Sequence, residues 1–193
     1  LQSLDVRTLG IAGGSMVIVK DAQIVDVGPR SAHIAGKEYE CFTDAKNLVN
    51  PTIQFISPKE GDSKDHAIVV SETGQEYSFT LAGAANLLGY VPEGDYAYGH
   101  KEANYKAWNA LGNYCGMTAE EAAQQVIKIA CEKVMTVVNM LIDEYELDRN
   151  YVTLVGGGGS ASVLTYALGK ISGHKVQIAK NAPYISTIGV ALA

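Results

Sequence analysis

At 193 residues and 47% hydrophobic content, the chain can bury roughly 70% of its unfolded surface as one domain or two small lobes, so it needs no disulfide or metal staple. Its 15 basic and 21 acidic residues, net −6 without a Lys/Arg cluster, together with 8% aromatic content, argue against a nucleic-acid partner. Cys41, Cys115 and Cys131 are odd in number and lack C-x-x-C spacing, which fits a reducing cytoplasm, and no apolar run reaches the about 18 residues of a membrane span.

Residues 6–11, 16–20 and 23–27 are three β-rich runs, joined by Gly13-Gly14 and by Asp21-Ala22, and they read as an antiparallel meander. Gly28-Pro29 is expected to stop the third strand, and residues 31–39 are ambiguous between short helix and loop. The polar stretch 58–65 (PKEGDSKD) marks a possible insertion or lobe boundary within residues 57–66. Residues 66–70 and 75–79 form a second hairpin pattern around Thr73-Gly74.

Thr80 caps a helix through Leu88 that Gly89 ends, and residues 101–111 make a further helix carrying Trp108. The clearest helix opens at Thr118, where Thr-Ala-Glu-Glu121 is a capping box. Its apolar stripe runs through Ala123, Val126, Ile127, Ala130, Val134, Val137, Val138, Leu141 and Tyr145, leaving Lys128, Glu132, Lys133 and Asp143 in water. Residues 151–155 form a nearly continuous apolar run, expected to be a strand covered on both faces. A helix over 160–170, a strand over 175–179 and a last helix opened by Asn181 and Pro183 complete the chain. The small residues of that last helix predict close packing. The order gives an α/β domain: a mixed sheet with an antiparallel N-terminal meander and helices on its faces.

Two glycine turns carry the chemistry. Ile11-Ala12-Gly13-Gly14-Ser15 and Val155-Gly156-Gly157-Gly158-Gly159-Ser160 each follow a β-branched run, and glycine leaves backbone N–H groups bare toward an anion or a flat ring. Lying about 140 residues apart in one domain, they suggest a split nucleotide site, one turn near the phosphates and the other near adenosine. The alternative for each is a tight connection or a bulge. Other chemistries find little support. The Gly157-x-Gly159 unit lacks a third glycine in phase and a following ribose-binding acid, and no Gly-Lys-Ser/Thr loop exists. His33, His66, His100 and His174 lack metal-binding spacing, no serine sits in a G-x-S-x-G elbow, and Cys41 beside Phe42 reads as a small buried hydrophobe.

The stretch Asp5-Val6-Arg7-Thr8-Leu9-Gly10-Ile11-Ala12-Gly13-Gly14-Ser15, followed by Val27-Gly28-Pro29-Arg30-Ser31-Ala32, resembles the hydantoinase/oxoprolinase A-type family. Residues 80–92 (TLAGAANLLGYVP), 151–161 and the closing Ile188-Gly189-Val190-Ala191-Leu192-Ala193 are similar to that family too. The resemblance implies a ribonuclease-H-like, actin-like ATPase fold. It implies ATP and Mg²⁺ as cofactors, and an enzyme that opens cyclic amides or carboxylates ketones. By the same resemblance Gly13, Gly14 and Ser15 would hold phosphate, and Gly156, Gly157, Gly158 and Gly159 would line adenosine.

The family's D-x-G-G-T-x-T-D phosphate loop is absent, so the chain carries at most half of a nucleotide site. It is expected to be a piece of a larger chain, since it begins at Leu1 without Met, and its partners would be the remainder of that chain or a companion subunit, plus a small-molecule substrate. Oligomerisation stays open. Gly10 stands where an acid organising Mg²⁺ is usual, Ala12 replaces a glycine, and Ala82 or Gly83 replaces the acid of a T-D-A-N segment. Asp5 lies roughly 16 Å from the turn along an extended strand, too far to substitute. These departures keep a second reading open, a non-catalytic module with an actin-like fold used for binding or assembly.

Overall fold

The computed structural model describes residues 5–192; residues 1–4 and Ala193, the last residue of the closing motif, lie outside it. Strand β1 (Ser15–Lys20) turns into β2 (Gln23–Ser31) through Asp21 and Ala22, both at positive φ (49° and 58°), the geometry of a two-residue hairpin turn whose twist matches its strands. The first predicted strand does not form. Residues 6–11 run as irregular, largely exposed chain that does not pair with the open outer side of β2; Arg7 bonds to Glu144 and the Tyr145 hydroxyl to Asp5 instead. Gly28-Pro29 does not stop β2 either. On an edge strand a proline withholds no ladder bond that the sheet needs, and an irregularity between Ser15 and Val17 absorbs the extra residues.

After β3 (Glu38–Tyr39) come two short 3-10 turns, then β4 (Thr52–Ile56), β5 (His66–Val70) and β6 (Glu76–Ser78). Strands β4, β5 and β6 pair antiparallel, whereas β3 joins β6 in parallel, so the six-stranded sheet is mixed. The polar segment 57–65 connects the paired strands β4 and β5, and both its ends lie in one sheet. Strand β4 escaped the sequence reading. Its residues Thr52-Ile53-Gln54-Phe55 alternate polar and apolar over only four positions, with Ile53 and Phe55 half-buried.

Helices α1 (Leu81–Leu87), α2 (Lys101–Cys115) and α3 (Ala119–Glu144) cover the sheet. The Thr80 hydroxyl accepts from Gly83 N at the start of α1, and the Thr118/Glu121 capping box opens α3 as predicted. The core gathers Val17, Val27, Val69, Phe79, Leu81, Trp108, Leu111 and Val126, with Phe79 and Trp108 edge to face at 5.5 Å. The apolar stripe of α3 is fully buried only over its first half. Lys133 is not simply wet: its ammonium donates to Val27 O at 3.0 Å and pairs with Asp26.

The C-terminal part is a separate two-stranded parallel unit, β7 (Thr153–Gly156) and β8 (Lys175–Ile178), bridged by α4 (Ala161–Ser172) and followed by α5 (Ile185–Leu192). Two expectations fail there. Strand β7 is not covered on both faces, since Val155 is 56% exposed, and α5 has no buried residue among those described, so its small side chains do not give the close packing expected. An apolar run records that a strand is to be covered. It does not say that the covering surface belongs to the same stretch of sequence. Among the described residues no helix is long and apolar enough to cross a membrane.

Candidate functional site

The two glycine turns meet. Ile11, Ala12 and Gly13 line one side of a cavity of about 300 Å³, Val155, Gly156, Gly157 and Ser160 line the other, and Leu81, Leu164 and Leu168 form its apolar floor. Gly13 is pressed against the Ser160 side chain, so a methyl group added there would lie 2.8 Å from Ser160 Cβ and would overlap its hydroxyl. Gly14 is pressed in the same way against the Tyr39 hydroxyl, and Gly156 against Thr165. These three glycines are required by close packing between segments.

Within the second turn Gly158 combines positive φ (96°) with open space where its side chain would be, while Gly157 and Gly159 face Ile185 and Tyr96 at 3.3 and 3.1 Å. Ser15 is 2% exposed. Its hydroxyl accepts from Ala12 N at 2.9 Å and its amide donates to Ala12 O at 3.0 Å, so in this conformation Ser15 closes its own turn. Whether a β-branched run leads into a glycine turn was legible in the sequence; that the first turn would be buried by Tyr39 and Ser160 was not.

The second turn feeds the N-terminus of α4. Its cap residue Ser160 makes no side-chain cap bond, and the amides of Gly159, Ser160 and Ser162 have no acceptor among the described residues. A twelve-residue helix with bare N-terminal amides beside an open glycine is an anion cradle of the usual physical kind, and the leucine floor suits a flat ring. Nucleotide chemistry therefore fits these residues. Magnesium does not. Gly10 offers no carboxylate, Asp5 is engaged with Arg7 and with the Tyr145 hydroxyl, and Asp44 is spent on Lys46 N at 3.0 Å. Among the described residues no three His, Cys, Asp or Glu side chains converge.

A larger cavity of about 560 Å³, lined by Met135, Arg149, Ile171, His174 and Lys175, lies at the amino ends of β7 and β8 and at the carboxyl end of α4. Ligands in open α/β sheets gather at the opposite, carboxyl ends of the strands, and the α4 dipole repels anions here, so the glycine cavity is the better candidate.

A buried network that sequence reading missed stands behind the first turn. Glu40 is completely buried, and its carboxylate accepts from Thr80 N (3.0 Å), Thr80 Oγ1 (2.9 Å) and Trp108 Nε1 (3.0 Å). It fits only because Gly83 has no side chain: a methyl there would stand 2.6 Å from Glu40 Cδ. Burial without a cation pushes the carboxyl up to about 7 against the pull of those donors. Burial also pushes the adjacent Cys41 thiol far up, in keeping with an inert packing residue. Nothing local announced Glu40, because its partners lie 40 and 68 residues away.

No curated protein matches the chain. Among solved structures, the nucleotide-free acetone carboxylase described under "Mechanism of ATP-Dependent Acetone Carboxylation" is similar, with a TM-score of 0.63 at 19% identity over 96% of this chain. That likeness shows the fold, an α/β arrangement that the two chains share, and this chain spans 23% of that chain's length. The hydantoinase/oxoprolinase profile matches residues 1–193, the whole sequence, and the chain belongs to that family.

Proposed function

We propose that this chain is one nucleotide-binding lobe of an ATP-dependent enzyme that opens cyclic amides or carboxylates a ketone. The observation that carries the reading is the shared cavity: both glycine turns border it, and the bare N-terminus of α4 opens beside them. Gly13, Gly156, Gly157 and Ser160 line the cavity itself, Gly158 and Gly159 continue the second turn outside its lining, and Gly14 and Ser15 lie buried beyond Gly13, with Gly14 against Tyr39. ATP is the proposed cofactor. Any Mg²⁺ would draw its carboxylates from the rest of the polypeptide or from a companion subunit, in the cytoplasm. The exposed apolar residues of α5, with Val190 80% and Leu192 83% exposed, and the half-covered β7 are the surfaces we assign to that partner.

One observation favours the alternative of a non-catalytic module. Ser15 is buried in its own turn and Gly10 stands in place of an acid, so the chain by itself positions no group for phosphoryl transfer. Radiolabelled ATP binding and hydrolysis, measured on the chain alone and on the full-length protein, separate the readings. The proposal expects weak binding and no turnover by the chain alone, with binding and substrate-dependent turnover in the full-length protein. Turnover by the chain alone that Gly13→Val abolishes would contradict it, and full-length protein that binds no nucleotide leaves the non-catalytic module.

A further inference from the structure

Glu40 reaches the Gly13-Gly14 turn by two routes. Its carboxylate fixes Thr80, whose hydroxyl accepts from Gly83 N at 3.1 Å. In that same helical turn Ala82 N donates to Gly13 O at 2.8 Å. Its neighbour Tyr39 places the phenol hydroxyl against Gly14. We propose that Glu40 is a positioning residue for the glycine turn, and that gaining or losing its proton switches the turn between two settings. The inference rests on the nucleotide-lobe reading only for its consequence, a pH-dependent affinity.

The switch follows from donor and acceptor counting. As a carboxylate, Glu40 receives the Thr80 amide, the Thr80 hydroxyl and the Trp108 indole N–H. Once protonated it carries a donor of its own, and the hydroxyl facing it is Thr80 Oγ1, which already accepts from Gly83 N and donates to Glu40. The Thr80 hydroxyl must then withdraw its proton from Glu40 and accept from both Glu40 and Gly83 N, which rearranges the bonding at the cap of α1 and with it the turn holding Gly13 O.

No cation bonds to Glu40 among the described residues. Of the titratable groups around it, Tyr39 and Cys41 flank it in sequence, and Tyr77 of β6 pairs with Glu38. His100 belongs to the residue pair His100 N and Cys41 O, bonded at 2.7 Å, and His33 borders the surface cavity beside Tyr39. From α1 none faces it, since its sequence is LAGAANL, and on α2 Lys101 and Glu102 are exposed while Lys106 pairs with Glu102 at 3.5 Å.

The single tryptophan makes the test direct. In ¹H–¹⁵N spectra of the chain across pH 5.5–8.5, the Trp108 indole resonance reports Glu40, and the amides of Gly13 and Gly14 report the turn. We expect all three to shift with one midpoint near 7, and we expect the shifts to vanish in Glu40→Gln, which keeps the shape and leaves every other titrating group in place. Trp108→Phe removes one donor to the carboxylate and should move the glycine midpoint upward. An indole that titrates while the glycines stay still, or glycine shifts that persist in Glu40→Gln, would overturn the proposal. Should that variant not fold, an unmoved midpoint in Trp108→Phe overturns it instead. Glycine shifts as expected in a full-length protein that binds no ATP would sink the nucleotide reading and leave this one standing.

Discussion

Replacing Gly13 by alanine tests whether the two glycine turns are held together by packing. Gly13 is not at positive φ, so alanine meets no backbone penalty, and the whole effect comes from what the new methyl touches. It would lie 2.8 Å from Ser160 Cβ and against the Ser160 hydroxyl, with Ala82 Cβ at a harmless 3.8 Å. Overpacking of this size costs about 1–3 kcal/mol, because one turn must move by several tenths of an ångström. Ser160→Gly alone should cost about 1 kcal/mol or less, since Ser160 makes no side-chain cap bond and the loss is mainly one of chain entropy. The double variant removes the obstruction, so it should be more stable than the sum of the singles by about 1–2 kcal/mol. Denaturant unfolding of the four proteins gives this coupling directly. Strict additivity would refute the contact, and with it the claim that the turns form one site.

Gly83→Ala drives a methyl to 2.6 Å from Glu40 Cδ and 2.8 Å from Trp108 Nε1, and should destabilise by about 3 kcal/mol or more, with Glu40→Ala in the same chain restoring part of the loss in a thermal melt. Gly158→Ala, at φ 96° with no neighbour, should cost only about 1–2 kcal/mol of backbone strain, and should leave the Trp108 indole resonance unmoved. The folded-state pKa of Glu40 is raised from 4.5 to about 7, so the folded protein binds the extra proton. Its contribution is fully present below pH 4.5 and is lost as pH rises through 7. Unfolding free energy measured from pH 4.5 to 8 should fall by up to about 3 kcal/mol from this group, and Glu40→Gln should flatten that slope. Asp62 acts in the opposite direction. The hydrogen bond it accepts from Arg30 lowers its pKa, so it contributes stability that is lost on acidification, and Arg30→Met should blunt that loss.

Local chemistry was legible wherever a few adjacent residues decide the structure. The Thr118/Glu121 capping box, the Thr80 cap, the Thr73-Gly74 hairpin and the glycine turn ahead of α4 all lie within four or five residues of their partners. Long-range consequences were not. Residues 6–11 have strand-forming side chains but are tied through Asp5 and Arg7 to Tyr145 and Glu144 rather than paired with the sheet, β2 runs through Gly28-Pro29 because it is an edge, and β7 and α5 keep apolar surface uncovered. The site divides along the same line. The glycines could be named from the sequence, but the burial of Gly13, Gly14 and Ser15 by Tyr39 and Ser160 depends on contacts from distant segments. Glu40 was invisible for that reason: a lone glutamate in Glu38-Tyr39-Glu40 reads as a solvated charge until Thr80 and Trp108 close over it.

The central claim is that nucleotide sits where the two turns meet, and hydrogen–deuterium exchange of the full-length protein with and without saturating ADP tests it most directly. The account predicts that slowed exchange falls on residues 156–163, at the glycine turn and the first turn of α4, and extends to residues 11–15. Protection confined to the cavity lined by Arg149, His174 and Lys175, or an unchanged residue 156–163 segment in protein saturated with nucleotide, would contradict it.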